Sequence, residues 1–388
     1  MDAGHEEVDK ILALMEQDVK DLYGVAADDL EQKIAEYWKN HGLKDKVKLA
    51  QLQAGEINQE EYNRWKYGQI MAGKRWEEMR AIIVSDLGNA HRLAEVIING
   101  YLPDVFAVSG NYGMYEVGQL VGKSVGFIPR ALTFAGSWTM YDHDTVIRLM
   151  RDKPEILPAL NPRSKMAQRI AEGKVKQWEK KQVTSELLQG VLQGESNVDI
   201  ARRMRKITNA DWKSAIRYAR TATTGAECAG RIESYQRAKK LGIDIEQQWV
   251  ATLDARTRHS HRQLDGQHIP VGEYFTVEDE AMGVVRIKYP GQFSLPGEQY
   301  KVPPNMIWNC RCTIVAMLTG IPELERDNDI SNLDLRNTDH MMETTYEEWK
   351  AAYPRYSDPI LKAKKIGEAN KAACIREYRE AAKRLGVK

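Results

Sequence analysis

The sequence predicts an α+β protein: a mostly α-helical N-terminal two-thirds, a small loop-rich α+β module at 246–318, and a helical C-terminal tail. Three observations carry this. Apolar residues recur at near-helical spacing, with charges between them, through 5–99 and again through 163–242. Residues 246–318 switch to short runs rich in Val, Ile, Thr and Tyr, divided by Gly and Pro turns. The terminal stretch ILKAKKIGEANKAACIREYREAAKRLGVK returns to a basic helical pattern. At 388 residues the chain exceeds one ordinary domain. It divides by composition into a helical region at 1–150, a helical and basic arm at 151–245, the module at 246–318, and an acidic linker with a basic helix at 319–388.

The first helices follow from Leu12, Met15, Val19 and Leu22, then Leu30, Ile34 and Trp38, then the stretch around Tyr62–Ile83. Gly42 and Gly55 mark expected breaks. Glycines at 100, 110, 113, 118, 122, 126 and 136 punctuate the next stretch. No Gly-x-Gly-x-x-Gly loop follows a clear strand, so these read as turns and close helix contacts rather than a dinucleotide site. Pro154, Pro158 and Pro162 form a connection where a domain boundary is expected.

Helical periodicity resumes in KQVTSELLQGVLQG and NVDIARRMRKI, the second capped by Asn197 or Asp199. Residues 201–240 hold eleven Lys or Arg against three Asp or Glu, and Arg202, Arg203, Arg205 and Lys206 crowd one turn and a half. This is either a solvated helix face or a surface for DNA or an acidic partner. The strand signals QQWVATLD, HIPVGEYFTV, GVVRIKYPG and MIWNCRCTIVAML then define the module. Beyond it, 319–350 carry nine acids against three bases, and 361–388 nine bases against three acids.

Composition narrows the function. A net charge of +1 means that the whole molecule is no nucleic-acid magnet, so any such role needs a local patch. Four cysteines are too few for a disulfide scaffold and suit synthesis in a reducing cytosol. The opening MDAGHEEVDKILALMEQDV lacks the basic and apolar regions of a signal peptide, and no run reaches the ~18 apolar residues of a membrane span. No membrane partner is expected.

The chemistry concentrates in DARTRHSHRQLDGQH at 254–268, which holds three of the eight histidines, and in NCRC, which puts Cys310 and Cys312 one residue apart. Imidazole and thiolate are preferred zinc ligands. His261, Cys310 and Cys312, with His259, Asp265 or His268 as a fourth ligand, would make a zinc site that staples a small module. In an extended strand the two cysteines would share a face, with Arg311 pointing away. The other reading is two small buried sulfurs, with Asp254 and the arginines in salt bridges. A nucleophilic cysteine beside His259 or His261, or a metal-dependent hydrolase or nuclease, has the residue types but no spacing that specifies a reaction. No HExxH or Walker loop occurs.

The block WVATLDARTRHSHRQLDGQHIP, then YPGQF, PPN and NCRC, resembles the head-morphogenesis family typified by the F protein of phage Mu. Upstream, YDHDTVIRLMRDKPEILP and RTATTGAECAGRIESYQRAKKLG look like minor head proteins of phages infecting Gram-positive bacteria. The family motif falls on Trp249, Asp254, Arg256, Arg258, His261, Asp265, Gly266, Cys310, Arg311 and Cys312. One departure stands out: family members often carry an acid after an Arg-Thr pair, whereas Ala222 follows Arg220 and Thr221 here. The resemblance implies a portal-associated minor capsid protein of the virion, made in the host bacterial cytoplasm. Its implied partners are the portal, other head proteins and double-stranded DNA; its implied roles are head assembly, DNA packaging or ejection. It implies no enzymatic activity, the metal-dependent hydrolase or nuclease being the alternative.

Overall fold

A computed structural model describes residues 2–71, 74–125, 140–161, 163, 177–192, 197–295, 297–320, 345–351 and 358–384. In chain order the helices and strands are α1 (Ala3–Gln53), α2 (Gln59–Met71), α3 (Lys74–Val125), α4 (His143–Asp152), α5 (Gln177–Leu192), α6 (Asn197–Lys240), β1 (Asp244–Val250), α7 (His259–Leu264), β2 (His268–Pro270), β3 (Phe275–Asp279), β4 (Gly283–Ile287), α8 (Pro304–Ile307), β5 (Thr313–Gly320), α9 (Tyr346–Ala351) and α10 (Pro359–Arg384). The fold is the mostly helical α+β class read from the sequence. No helix of the described residues is long and apolar enough to cross a membrane.

Chain contacts gather into two compact units. The first comprises Met1–Glu16, Ile98–Gln168 and Arg217–Glu368; the second comprises Gln17–Ile97, Arg169–Ile216 and Ala369–Lys388. Each unit therefore draws on several of the four sequence regions. The boundaries at 16/17, 97/98, 216/217 and 368/369 fall inside α1, α3, α6 and α10, where composition gives no sign of a change.

The second unit is a helical assembly. Leu30 and Ile34 of α1, Ile83 and Leu87 of α3, Val183 and Leu187 of α5, and Ile200, Met204 and Ile207 of α6 form one buried cluster. These are the i, i+3, i+4 and i+7 positions that put apolar side chains on one helical face. Charge is also buried in it. Lys33 Nζ lies 2.9 Å from Asp29 and 2.6 Å from Asp86. His91 sits between Glu95 (2.8 Å) and Asp211 (3.2 Å), and Tyr23 donates to Asp211 at 2.8 Å.

The first unit holds both sheets. β1 is central in the order β2–β1–β5, antiparallel on both sides, with Gln247 opposite Ile269 and Ala316. Ile245, Gln247 and Trp249 point inward, as the two-residue period of a strand requires. Buried Gln247 is satisfied by the Lys288 carbonyl at 2.8 Å. β3 and β4 form a separate hairpin whose inner face pairs Phe275 with Ile287 and Val277 with Val285. The sheets share one core with Phe106, Met114 and Val117 of α3 and with Cys228, Ile232 and Tyr235 of α6.

Several expectations change here. α1 runs unbroken through Gly42, while Gly55, at φ +72°, does lie just past the helix end. A single glycine costs a long helix only about 1 kcal/mol relative to alanine, which fifty neighbouring residues easily outweigh. The glycines at 100, 110, 113, 118 and 122 sit inside α3 rather than at turns. The close-contact half of that reading holds: a Cβ on Gly110 would meet the Tyr141 ring at 2.7 Å. Asn111 fixes that approach, donating to the Tyr141 carbonyl at 2.9 Å and accepting its N–H at 2.8 Å. Gly126, Gly136, Pro162 and most of the acidic linker lie outside the described residues, as does the Trp38 side chain.

Candidate metal centre and the turn that builds it

The structure brings His261, Cys310 and Cys312 together. Their ligand atoms all lie within 4.8 Å of one another. His261 Nδ1 is 3.2 Å from Cys312 Sγ and 3.6 Å from Cys310 Sγ. All three side chains are buried, at 2%, 3% and 4% exposure. The cysteines are free thiols. They form an unequal pair: the hydrogen bond from Cys310, then His261, holds the Cys312 thiol below its usual range, while Cys310 is pushed up by that same hydrogen bond and by burial.

The cysteines are not in a strand, as the sequence reading supposed. MIWN forms the short helix α8 and a turn, and β5 starts only at Thr313. Pro303 and Pro304 open that helix, since proline suits a first turn where no N–H partner is needed. Asn309 then adopts φ +54°, a left-handed conformation that Asn tolerates better than most residues. This reversal aims both sulfurs inward. The alternation expected of a strand survives in effect, because Arg311 stays outside.

Arg311 clamps Asp254 with two hydrogen bonds of 2.7 Å each. That clamp holds the Asp254 carboxyl well below the usual carboxylate range. Asp254 also accepts the Arg256 N–H at 2.8 Å, and the Arg262 guanidinium donates to its carbonyl at 2.8 Å. Arg258 donates to the Trp308 carbonyl at 2.5 Å, and Thr252 donates to the Arg311 carbonyl at 2.8 Å. Asp265 accepts the Ala251 N–H at 2.8 Å, and Gly266, at φ +77°, returns its N–H to Trp249 at 2.9 Å. Trp249 is fully buried and stands edge-on to His261 at 5.7 Å. Most residues singled out from the sequence are thus tied into two facing loops. The Arg256 side chain is exposed and lies 3.9 Å from the Asp254 carboxylate.

The proposed fourth ligands do not join the cluster. His259 is exposed, His268 is exposed and pairs with Glu246 across β1 and β2, and Asp265 caps the end of β1 as described.

Sequence reasoning missed what holds the Asn-Cys-Arg-Cys turn from behind. Thr221 Oγ1 accepts the Asn309 N–H at 3.0 Å, and Thr224 Oγ1 donates to the Cys310 carbonyl at 3.0 Å. Next to them Gly225 meets Gly291, where a Cβ would lie 2.6 Å from the Gly291 carbonyl oxygen. The Arg-Thr-Ala-Thr-Thr-Gly stretch of α6 therefore cradles the Asn-Cys-Arg-Cys and Tyr-Pro-Gly turns, and it does so with Ala222 in place. A second omission is Arg231, fully buried, which donates to both Asp2 oxygens at 2.8 Å and lies 3.6 Å from Glu227 and 3.8 Å from Glu116. The Glu227–Arg231 spacing of four was visible; partners more than 100 residues away were not.

A cavity of 1240 Å³ lies beside the turn, with Arg220, Glu227, Arg256 and Cys310 among its lining residues. Cys312 and His261 are not on its wall.

Residues 181–315 match the family described as Phage Mu protein F like protein. Over these residues the chain is similar to the Mu F-like family. The match covers the cradle of α6, both sheets up to the start of β5, and the whole His/Cys cluster. Two curated relatives are similar over part of their length. The Minor head protein GP7 of Bacillus phage SPP1 is 30% identical over 167 residues, 43% of this chain and 50% of that protein. The NAD(+)--arginine ADP-ribosyltransferase EFV of Enterococcus faecalis is 34% identical over 170 residues, 44% of this chain and 31% of that protein. The chain thus spans half or less of the length of these relatives. No solved structure matches.

Of the basic residues Arg202, Arg203, Arg205 and Lys206, the three arginines are already paired. Arg202 binds Asp199 at 2.6 Å, Arg203 binds Glu186 at 2.7 Å and Arg205 binds Glu31 at 2.8 Å.

Proposed function

We propose that this chain is a minor head protein of a tailed bacteriophage, a virion component that associates with other head proteins and acts in head assembly. The Mu F-like match across 181–315 carries this reading, and the similarity to the SPP1 minor head protein supports it. The motif residues support it too. Asp254, Arg258, Asp265 and Arg311 spend their hydrogen-bonding capacity on backbone and on each other, which suits a rigid binding module better than acid–base chemistry. The hydrolase or nuclease alternative is therefore not favoured. The similarity to an ADP-ribosyltransferase covers 31% of that protein and brings no activity to this chain.

The portal is the partner we assign, with the helices as the docking elements. Co-expression with the portal subunit of the same phage tests this: the full chain co-purifies with the portal, and a chain lacking residues 17–97 does not. Retention after that deletion contradicts helical docking. We assign DNA a smaller role, because Arg202, Arg203 and Arg205 would have to exchange carboxylates for phosphates. DNA affinity should then fall steeply with salt; affinity indifferent to salt contradicts a phosphate contact.

A further inference from the structure

We propose that His261, Cys310 and Cys312 bind one zinc ion, held by these three protein ligands with a water molecule in the fourth position, which staples α7 to the Asn-Cys-Arg-Cys turn. The inference stands on geometry and does not depend on the minor-head reading.

The distances fit. Tetrahedral zinc with bonds of ~2.3 Å to sulfur and ~2.0 Å to nitrogen sets each S···N separation at about 3.6 Å. The observed separations are 3.6 Å for Cys310 and 3.2 Å for Cys312. The same ring nitrogen faces both sulfurs, as a shared ion requires. The cluster is also pre-formed by the surrounding hydrogen bonds: Asn309 turns the chain, Thr221 and Thr224 fix the turn, and Arg311 is drawn out to Asp254. Charge fits equally well. Binding releases the protons of two thiols, so Zn²⁺ with two thiolates and a neutral imidazole is net neutral. A neutral centre is what a fully buried position tolerates.

A thiolate–imidazole nucleophile is the main competitor for the same residues, and the cavity decides against it. Cys312, the thiol nearer the imidazole, is buried and does not line this cavity, so a substrate held there would not meet it. A metal needs only the position next to Cys310, which does line it. A hard cation such as Mg²⁺ would want oxygen ligands, of which the cluster offers none.

The test uses the full untagged chain, reduced and stripped of metal, titrated with Co²⁺ as a visible stand-in for zinc. An intense thiolate-to-cobalt absorption that saturates at one equivalent, is bleached by Zn²⁺ and is untouched by Mg²⁺ is expected. Cys310→Ser and Cys312→Ser should each abolish it, and Cys374→Ser, in α10, should leave it intact. A silent wild-type chain, or a band that survives both cysteine changes, overturns the proposal. Should the cysteine variants not fold, the melting temperature of the wild-type chain decides: zinc raises it and a chelator reverses the rise, whereas no zinc-dependent shift overturns the staple.

Discussion

The two compact units solve the problem of a stable interior differently. The second unit is helical, and its core is an apolar stripe from four helices with a few ion pairs enclosed by them. The first contains a loop-rich module whose order comes from side chains bonded to distant backbone: Thr221 to Asn309, Thr224 to Cys310, Thr252 to Arg311, Arg258 to Trp308. Helices satisfy their own backbone, so their packing can be mostly apolar. Loops cannot, so each turn of the module borrows a donor or acceptor from elsewhere in the chain. A module built this way holds its turns in fixed positions on the core that its sheets share with α3 and α6.

The largest effect that would sharpen this contrast is at Arg231. Replacing it by Met leaves Asp2, Glu116 and Glu227 without their buried counter-charge, and loss of one partner from a buried pair costs about 3–5 kcal/mol. Hydrogen exchange followed by mass spectrometry should show the loss of protection in the peptides of β1, β5 and the neighbouring part of α6. Unchanged exchange there would mean that the network is not needed to hold the first unit together.

Acidity should separate the units next. Burial raises the Asp86 carboxyl to about 6, above its unfolded value. The folded second unit therefore holds that proton more tightly, and the benefit is present below about pH 4 and lost as pH rises through about 6. Asp254 is the reverse: its folded value is depressed by Arg311, so its contribution is present above about pH 4 and lost as pH falls further. Asp86→Asn should flatten the pH 4–6 slope of the second unit, and Asp254→Asn the acid-side slope of the module. Stability curves in which the two changes act on the same limb would break the comparison.

The smallest effect is a single borrowed bond. Thr221→Ala leaves the Asn309 N–H without its acceptor, which should cost about 1–2 kcal/mol. Faster exchange at the 309–312 turn, with the second unit unaffected, is the expected reading. A uniform change across the chain would show that the turn is not locally held.

Much of this was legible in the sequence, and the gaps have a common cause. Helical stripes such as Ile200, Met204 and Ile207 announce themselves because periodicity is local. The two-residue period linking Ile245 and Trp249 likewise marks the inward face of β1, whereas the buried Gln247 between them carries no such signal. The grouping of His261 with Cys310 and Cys312 follows from residue type alone, since few other side chains suit them. The helix at Pro304–Ile307 was hidden because MIWN reads as β-rich, and only Asn309's left-handed backbone reveals the turn. Pairings such as Asp2 with Arg231, or Thr221 with Asn309, join residues far apart in the chain, and no spacing rule reaches them. The helix through Gly42 shows the opposite error, a local signal overruled by its surroundings.

The central claim is that the chain is a structural part of a phage head. Quantitative mass spectrometry of gradient-purified particles from the phage that encodes it tests this most directly. The account predicts that the chain is present in finished heads at low, fixed stoichiometry to the portal, and that particles made without it are defective or unfilled. Its absence from every head form, with normal filled particles produced after deletion, would contradict the account.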